Sequence, residues 1–345
     1  MRGESPLLNM NNIKEMCDMA FDLMNLQKNK ISRNLGSYMN YFYGNSKTGK
    51  STLCAKLYGD DALFICTEKG YNALNIFAVD LTSWNETNGL LRQLKDQNVK
   101  DKFKVIVIDT VDILYDLAIS YVLKINGCND LSDKPFGKLY GEVDKIFNNF
   151  LLEITRLGYG LALIGHAKTQ SKLAKKGKNE VESDYTIPSL ARRGYQIVAN
   201  MVDNIFYVTI DYDEEGNRIR VLKTRETSEF FAGSRFKYLP ETILLDADVL
   251  KEEMQKAVDK EENTTDEKKD LFIKENKIDF DKVMEQLNEL VMDKFVPNDK
   301  LSVVNKIVEK HLGVGNKVAD ATEDQADALQ IILDELLMKA EELGL

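Results

Sequence analysis

From Tyr38 onward, short apolar runs alternate with stretches whose apolar residues recur at helical spacing. The runs Tyr41–Tyr43, Ala62–Cys66, Ile76–Val79, Val105–Ile108 and Leu161–Ile164 predict strands. Runs such as Val105-Ile106-Val107-Ile108 have no polar face, so they suit a parallel sheet covered by helices on both sides. Helices are predicted to begin near Lys50, Glu86, Val111 and Lys138. Two later runs, Ile205–Ile210 and Arg218–Lys223, flank Asp213-Glu214-Glu215-Gly216-Asn217 and read as an antiparallel hairpin that extends the sheet. Ahead of all this, Ile13, Met16, Cys17, Ala20, Phe21 and Met24 predict an amphipathic helix, suited to cover one edge of the domain or a neighbouring subunit.

Beyond about residue 245 the texture changes. Lys251–Lys269 is too charged for core strands, while Asp279–Val291 and Asp324–Leu343 read as amphipathic helices. Pro297 and Gly313-Val314-Gly315 punctuate the region, and no internal repeat is present. The expected organisation is a helical segment over 1–37, an α/β core over 38–248, and an acidic, mainly helical region over 249–345.

Composition sharpens that division. The net charge of −10 resides in residues 251–345, which hold 14 Lys/Arg against 24 Asp/Glu. The chain totals of 46 and 56 therefore leave 32 of each in residues 1–250, so the core faces a polyanion without net repulsion. Cys17, Cys54, Cys66 and Cys128 lack C-x-x-C spacing, which argues against a zinc site or disulfide framework and for a reducing compartment. MRGESPLLNM lacks a signal peptide's apolar run, and no stretch approaches the ~20 apolar residues of a membrane span. The expectation is a soluble protein of the cytoplasm.

One motif carries specific chemistry. Gly44-Asn45-Ser46-Lys47-Thr48-Gly49-Lys50-Ser51 fits G-x-x-x-x-G-K-[ST] and falls between a predicted strand and a helix opened by Thr52. Such a loop curls its backbone N–H groups around phosphate oxygens at a helix N-terminus. Lys50 would reach the β- and γ-phosphates of ATP, and Ser51 would ligate Mg²⁺. Asp109 ends a buried strand, where ligands bind in open α/β sheets, and would hold the same ion through water. The alternative for Asp109 is a cap on the next helix. Thr110 follows Asp109, so a water-activating acid must come from elsewhere, and Glu68, just past Ala62–Cys66, is the best candidate.

The order of five segments resembles the RecA-type core. They are the phosphate loop, Leu63-Phe64-Ile65-Cys66-Thr67-Glu68, Val107-Ile108-Asp109-Thr110, Leu163-Ile164-Gly165-His166 and Val221-Leu222-Lys223-Thr224-Arg225. Within that type, residues 38–240 look like the phage-encoded RecA-like ATPases associated with single-strand annealing and recombination. The resemblance makes Glu68 the catalytic glutamate. It puts His166 where the family has a polar γ-phosphate sensor, commonly Gln, so His166 is a departure. A histidine there can donate a hydrogen bond to phosphate, or be a satisfied core residue. Lys223 and Arg225, on one face of a strand by its period of two, resemble the cationic finger that enters a neighbouring subunit's ATP site and stabilises the transferring phosphoryl group. A solvated strand face is the alternative.

After His166, Lys168 to Lys178 holds five lysines in eleven residues: Lys168, Lys172, Lys175, Lys176 and Lys178. With no apolar periodicity, the segment reads as a long mobile loop suited to sequence-independent phosphate contact. The resemblance implies a loop that binds single-stranded DNA, with Arg192 and Arg193 continuing its basic surface. Glu180, Glu182 and Asp184 dilute the potential, which leaves a plain solvated loop as the alternative. Asn126–Lys138 occupies the place of the family's second DNA-facing loop. The expectation is therefore a DNA-stimulated, Mg²⁺-dependent ATPase that forms rings or filaments on single-stranded DNA, its acidic C-terminal region competing for the basic loops or docking a protein partner. A hexameric helicase motor and a nucleotide-gated binding protein with little turnover are the rival readings.

Overall fold

The computed structural model describes residues 28–176, 179–269, 271 and 279–345. The helix expected over 13–24 lies outside the described residues. By contact, the chain divides into two compact units, 1–273 and 274–345.

The first unit is built on one sheet. Its strands are β1 (Ile31–Ser32), β2 (Asn40–Gly44), β3 (Ala62–Cys66), β4 (Phe77–Asp80), β5 (Val105–Asp109), β6 (Gly160–Lys176), β7 (Asn179–Pro188), β8 (Asn204–Tyr212), β9 (Arg218–Lys223), β10 (Gly233–Ser234), β11 (Thr242–Leu244) and β12 (Thr264–Thr265). The main sheet runs β11-β9-β8-β2-β6-β5-β3-β4. From β8 to β4 every neighbouring pair is parallel, while β9 and β11 extend the sheet antiparallel. Short β1 and β12 pair separately, and Arg33 beside them is ion-paired to Asp259 and Asp266.

The apolar runs of β2, β3, β5 and β6 have no polar face because both faces are covered, whereas edge strand β4, from the run Ile76–Val79, is largely exposed. Tyr41, Tyr43, Ile106, Ile108, Leu161 and Leu163 point to one core. That side is filled by the helices over 87–94, 111–126, 138–156 and 192–201. In chain order, the helices of this unit are α1 (Lys50–Tyr58), α2 (Thr87–Leu94), α3 (Gln97–Lys102), α4 (Val111–Asn126), α5 (Lys138–Arg156), α6 (Arg192–Met201) and α7 (Ala247–Asp259). The alternate residues Phe42, Val105, Val107, Ala162 and Ile164 face a second core with α1 and α7. Strand period two, with helices on both sides, thus explains the uninterrupted hydrophobicity.

Two expectations differ from the structure. The unit boundary lies past 248/249, because α7 buries Leu250, Met254, Ala257 and Val258 in the second core. Its charged residues occupy the outer face, and that face set the local composition. The lysine segment is a strand rather than a loop: β6 continues beyond His166 and pairs antiparallel with β7, from Ala167↔Pro188 to Lys176↔Asn179. A two-stranded ribbon satisfies its backbone hydrogen bonds between its own strands, so a strand forms there without the apolar periodicity that would mark it.

The second unit has α8 (Phe280–Leu290), α9 (Leu301–Leu312) and α10 (Ala326–Leu343). They share a core of Val283, Leu287, Leu290, Phe295, Ile307, Leu329, Ile332, Leu333 and Leu336. Glu335 accepts hydrogen bonds from Lys310 at 2.9 Å and lies 2.6 Å from His311 Nε2, which tie α10 to α9.

In the first unit, fully buried Phe147 of α5 meets the Tyr115 ring of α4 edge-on, with centroids 4.9 Å apart. Phe147→Ala is expected to destabilise that unit by about 3–5 kcal/mol through lost burial and a residual cavity. Chemical denaturation followed by a first-unit probe will measure it.

Candidate nucleotide site

The parallel strands β2, β3, β5 and β6 end at one edge of the sheet, and the chemistry-bearing residues follow from where each strand stops. Gly44 closes β2 beside β8, where any Cβ would come within 2.2 Å of the Val208 carbonyl oxygen. Gly49 has φ +103°, a left-handed conformation that favours glycine, and it turns the chain into α1. Between them Asn45, Ser46 and Lys47 are exposed, and Thr48 is buried, donating its hydroxyl to Asn45 O at 2.8 Å. Thr52 lies exposed on the first turn of α1. The first-turn amides of a helix lack intrahelical acceptors, so the loop presents donors to an anion.

Lys50 and Asp109 are each only 6% exposed, too little for water to solvate either charge. The Lys50 ammonium is folded onto its own loop, donating to Gly44 O at 2.9 Å and Asn45 O at 2.8 Å. Burial holds its pKa below the ordinary lysine value, opposed by Asp109, Asp112 and Glu68. Ser51 donates its hydroxyl to Asp109 Oδ2 at 2.6 Å, which links α1 to the end of β5. Burial lifts the Asp109 carboxyl above the usual range, offset by the Ser51 hydrogen bond, reinforced by Glu68, and offset again by Lys50 and His166. Each group is thus short of a counter-charge in this arrangement. A phosphate would restore it to Lys50, and a divalent cation would restore it to Asp109, so both fit the residues present. Among the described residues no group of three or more His, Cys, Asp or Glu is placed to hold a metal ion. A Mg²⁺ held by Ser51 and Asp109 would therefore complete its shell with phosphate and water oxygens, as that ion prefers.

Glu68, two residues past β3, and His166 of β6 face each other, with Oε1 and Nε2 3.5 Å apart and both side chains partly exposed. The strand carrying His166 is pinned by a residue that sequence reasoning missed. Asp112, in the first turn of α4, accepts the His166 amide at 3.0 Å and the Ser189 hydroxyl. Ser189 N donates in turn to His166 O at 2.8 Å. Gly165 allows this approach, because a Cβ there would lie 2.4 Å from the Tyr41 hydroxyl and 2.9 Å from Asp112 Oδ2. An acid in a helix's first turn ordinarily reads as a complement to the helix dipole, so nothing in the sequence marked Asp112.

The remaining candidates stand apart from this cluster. Lys223 is ion-paired to Asp211 at 2.6 Å and donates to Thr242 Oγ1 at 3.1 Å. Arg225 lies beyond β9 and donates to the carbonyls of Thr224, Ser234, Phe236 and Lys237. The two cations are therefore both engaged within their own subunit. Lys168 is exposed and donates to Ser189 O at 3.3 Å. Lys172, Lys175 and Lys176 fall on the outer half of β6, opposite Ser183, Glu180 and Asn179, and Lys178 is outside the described residues. Arg192 is exposed at the start of α6, whereas Arg193 is ion-paired to Asp144 at 2.5 Å. In the segment 126–138, Phe136 is fully exposed with φ +60°.

A family model described as an AAA domain matches residues 37–236, more than half of the chain. The chain belongs to the AAA domain family. Its phosphate loop, Asp109 and Glu68 all lie within the matched span. This AAA-type P-loop ATPase domain is also similar to a prophage protein, the SPbeta prophage-derived uncharacterized protein YorG of Bacillus subtilis (strain 168). The two are 27% identical over 338 residues, covering 92% of this chain and 98% of that relative. The RecA-like subdivision expected from motif order is finer than the family match. Among the described residues no helix is long and apolar enough to cross a membrane.

The Asp112 clamp yields a direct expectation. Asp112→Ala leaves the His166 amide and Ser189 hydroxyl without their acceptor and is expected to cost about 1–3 kcal/mol. Ser189→Ala, which removes one donor and leaves Asp112 its other partner, should cost less in the same denaturation measurement.

Proposed function

We propose that this AAA-family chain is a RecA-like ATPase that acts on single-stranded DNA in phage-type recombination or annealing, working as a ring or filament in the host cytoplasm. The observation that carries the reading is the continuity of β6. One strand supplies His166 beside Glu68 and then runs on as the lysine-bearing ribbon with β7. A change at the nucleotide's terminal phosphate thus has a direct backbone route to a polyanion-facing element.

At the site, Lys50 exchanges its two carbonyl partners for β- and γ-phosphate oxygens. Ser51 and Asp109 hold Mg²⁺, which supplies charge neutralisation at the phosphates. Glu68 orients and deprotonates the attacking water. His166, next to Glu68, donates to the terminal phosphate and so reports its presence. Positioning and electrostatics supply most of the acceleration in phosphoryl transfer. Lys223 and Arg225 serve a neighbouring subunit's site only by leaving Asp211 and the carbonyls they bind in their own chain, so turnover should rise with protein concentration.

Lys50→Ala is expected to abolish ATP hydrolysis. Glu68→Gln should keep MgATP binding while lowering kcat by roughly 10²–10⁴, the usual worth of a general base. Wild-type ATPase should rise on adding single-stranded DNA. Unstimulated turnover would point to an ATPase with another effector, and preserved turnover in Lys50→Ala would remove the assignment.

The ribbon is tested separately. Replacing Lys172, Lys175, Lys176 and Lys178 together by Ala should weaken single-stranded DNA binding and flatten its salt dependence, because each lost phosphate contact lowers the slope of log K against log salt by ~0.7. Unchanged affinity would assign DNA contact elsewhere. Strand displacement on a forked duplex would instead favour a helicase motor.

A further inference from the structure

The phosphate loop has two flanks, and the groups described so far occupy one of them. Strand β2 lies between β6 and β8. Asp109, Glu68 and His166 come from β5, the end of β3, and β6, all on the β6 side. On the other side, β8 pairs Val208 with Gly44, runs on to Tyr212, and returns as β9. Arg220 stands opposite Ile210, two residues past the Val208 register and so beyond the edge where β2 gives way to the loop.

Its guanidinium reaches back over that loop. Arg220 Nη1 lies 3.5 Å from the position a Cβ would take on Gly49, and Leu245 Cδ2 lies 3.1 Å from the same point. Leu245 donates its amide to Arg220 O at 2.9 Å, which fixes the two residues together at the main chain. Among the described residues the Arg220 guanidinium has no hydrogen-bond or ion-pair partner, in contrast to the side chains of Lys223, Arg225, Arg193 and Arg33. An exposed, uncompensated arginine therefore sits against the glycine that turns the phosphate cradle into α1.

We propose that Arg220 binds, within its own subunit, the phosphates of the nucleotide that do not react. The proposal rests on the reading of the loop as a triphosphate site. The terminal phosphate must lie near Ser51, Asp109 and Glu68, on the β6 flank. A triphosphate anchored there leads its nucleoside end toward the opposite flank, where Arg220 waits. A planar guanidinium donates two parallel hydrogen bonds to one phosphate group. Because that phosphate is present before and after hydrolysis, the contact strengthens ground state and transition state alike.

The test is equilibrium binding of MgATP and MgADP, with steady-state kinetics, on wild type, Arg220→Ala, Arg220→Lys and Lys50→Ala. Arg220→Ala should weaken ATP and ADP by the same factor, about tenfold for one charge-assisted contact, raising KM with kcat unchanged. Arg220→Lys should recover part of the affinity, because the charge remains without the fork. Unchanged affinity in Arg220→Ala beside a weakened Lys50→Ala overturns this proposal and leaves the loop's assignment intact. A loss confined to kcat, or to ATP alone, overturns it by placing Arg220 at the reacting phosphate. Wild type that binds neither nucleotide overturns both.

Discussion

The hydrogen bond from Ser51 to Asp109 is the join on which the site depends. It connects the first turn of the loop's helix to the end of β5, a strand separated from β2 by the whole width of β6. Asp109 is shielded from water and Ser51 is half-buried, and the same shielding leaves a lysine and a carboxylate buried without full compensation. Stability is therefore spent at this edge, as it commonly is where ligands supply the missing charge. The sheet beneath can bear it, since both of its faces are packed by helices.

Around that join, control is arranged in a second layer. The hydrogen bonds that Asp112 accepts come from outside the phosphate loop. Asp112 fixes the backbone of His166 and the Ser189 hydroxyl, so the placement of His166 against Glu68 derives from α4 rather than from β6 alone. Gly165 makes the approach possible by having no side chain. The AAA family match covers this machinery from end to end, while the helical unit after residue 273 lies outside it.

Much of this was legible in the chain. Uninterrupted runs such as Val105–Ile108 could only be strands covered on both faces, and the glycine spacing of the loop demanded a strand before it and a helix after it. Other features left no local trace. The ribbon of β6 and β7 satisfies its backbone hydrogen bonds strand to strand and carries no alternation of apolar residues from Lys168 to Lys176, so its residues look like a loop. Helix α7 presents its charges outward and hides a core contribution behind an acidic composition. Asp112 and Arg220 take their meaning from partners 54 and more residues away in sequence for the first, and from a hairpin register for the second, which only the folded chain supplies.

The ribbon has a mechanical side as well. Ten consecutive residue pairs join Ala167–Lys176 to Asn179–Pro188, and at ~3.3 Å per residue such an arm is roughly 30 Å long. Asp112 grips its inner end at His166, and Thr186, opposite Thr169, holds it again through main-chain hydrogen bonds with Glu229 and Phe231. A rotation of ~10° about that second anchorage would carry the tip of the outer part, roughly 23 Å long, through about 4 Å by simple leverage. A displacement too small to disturb the packed sheet is thereby multiplied at the tip into one comparable with the spacing between successive strands.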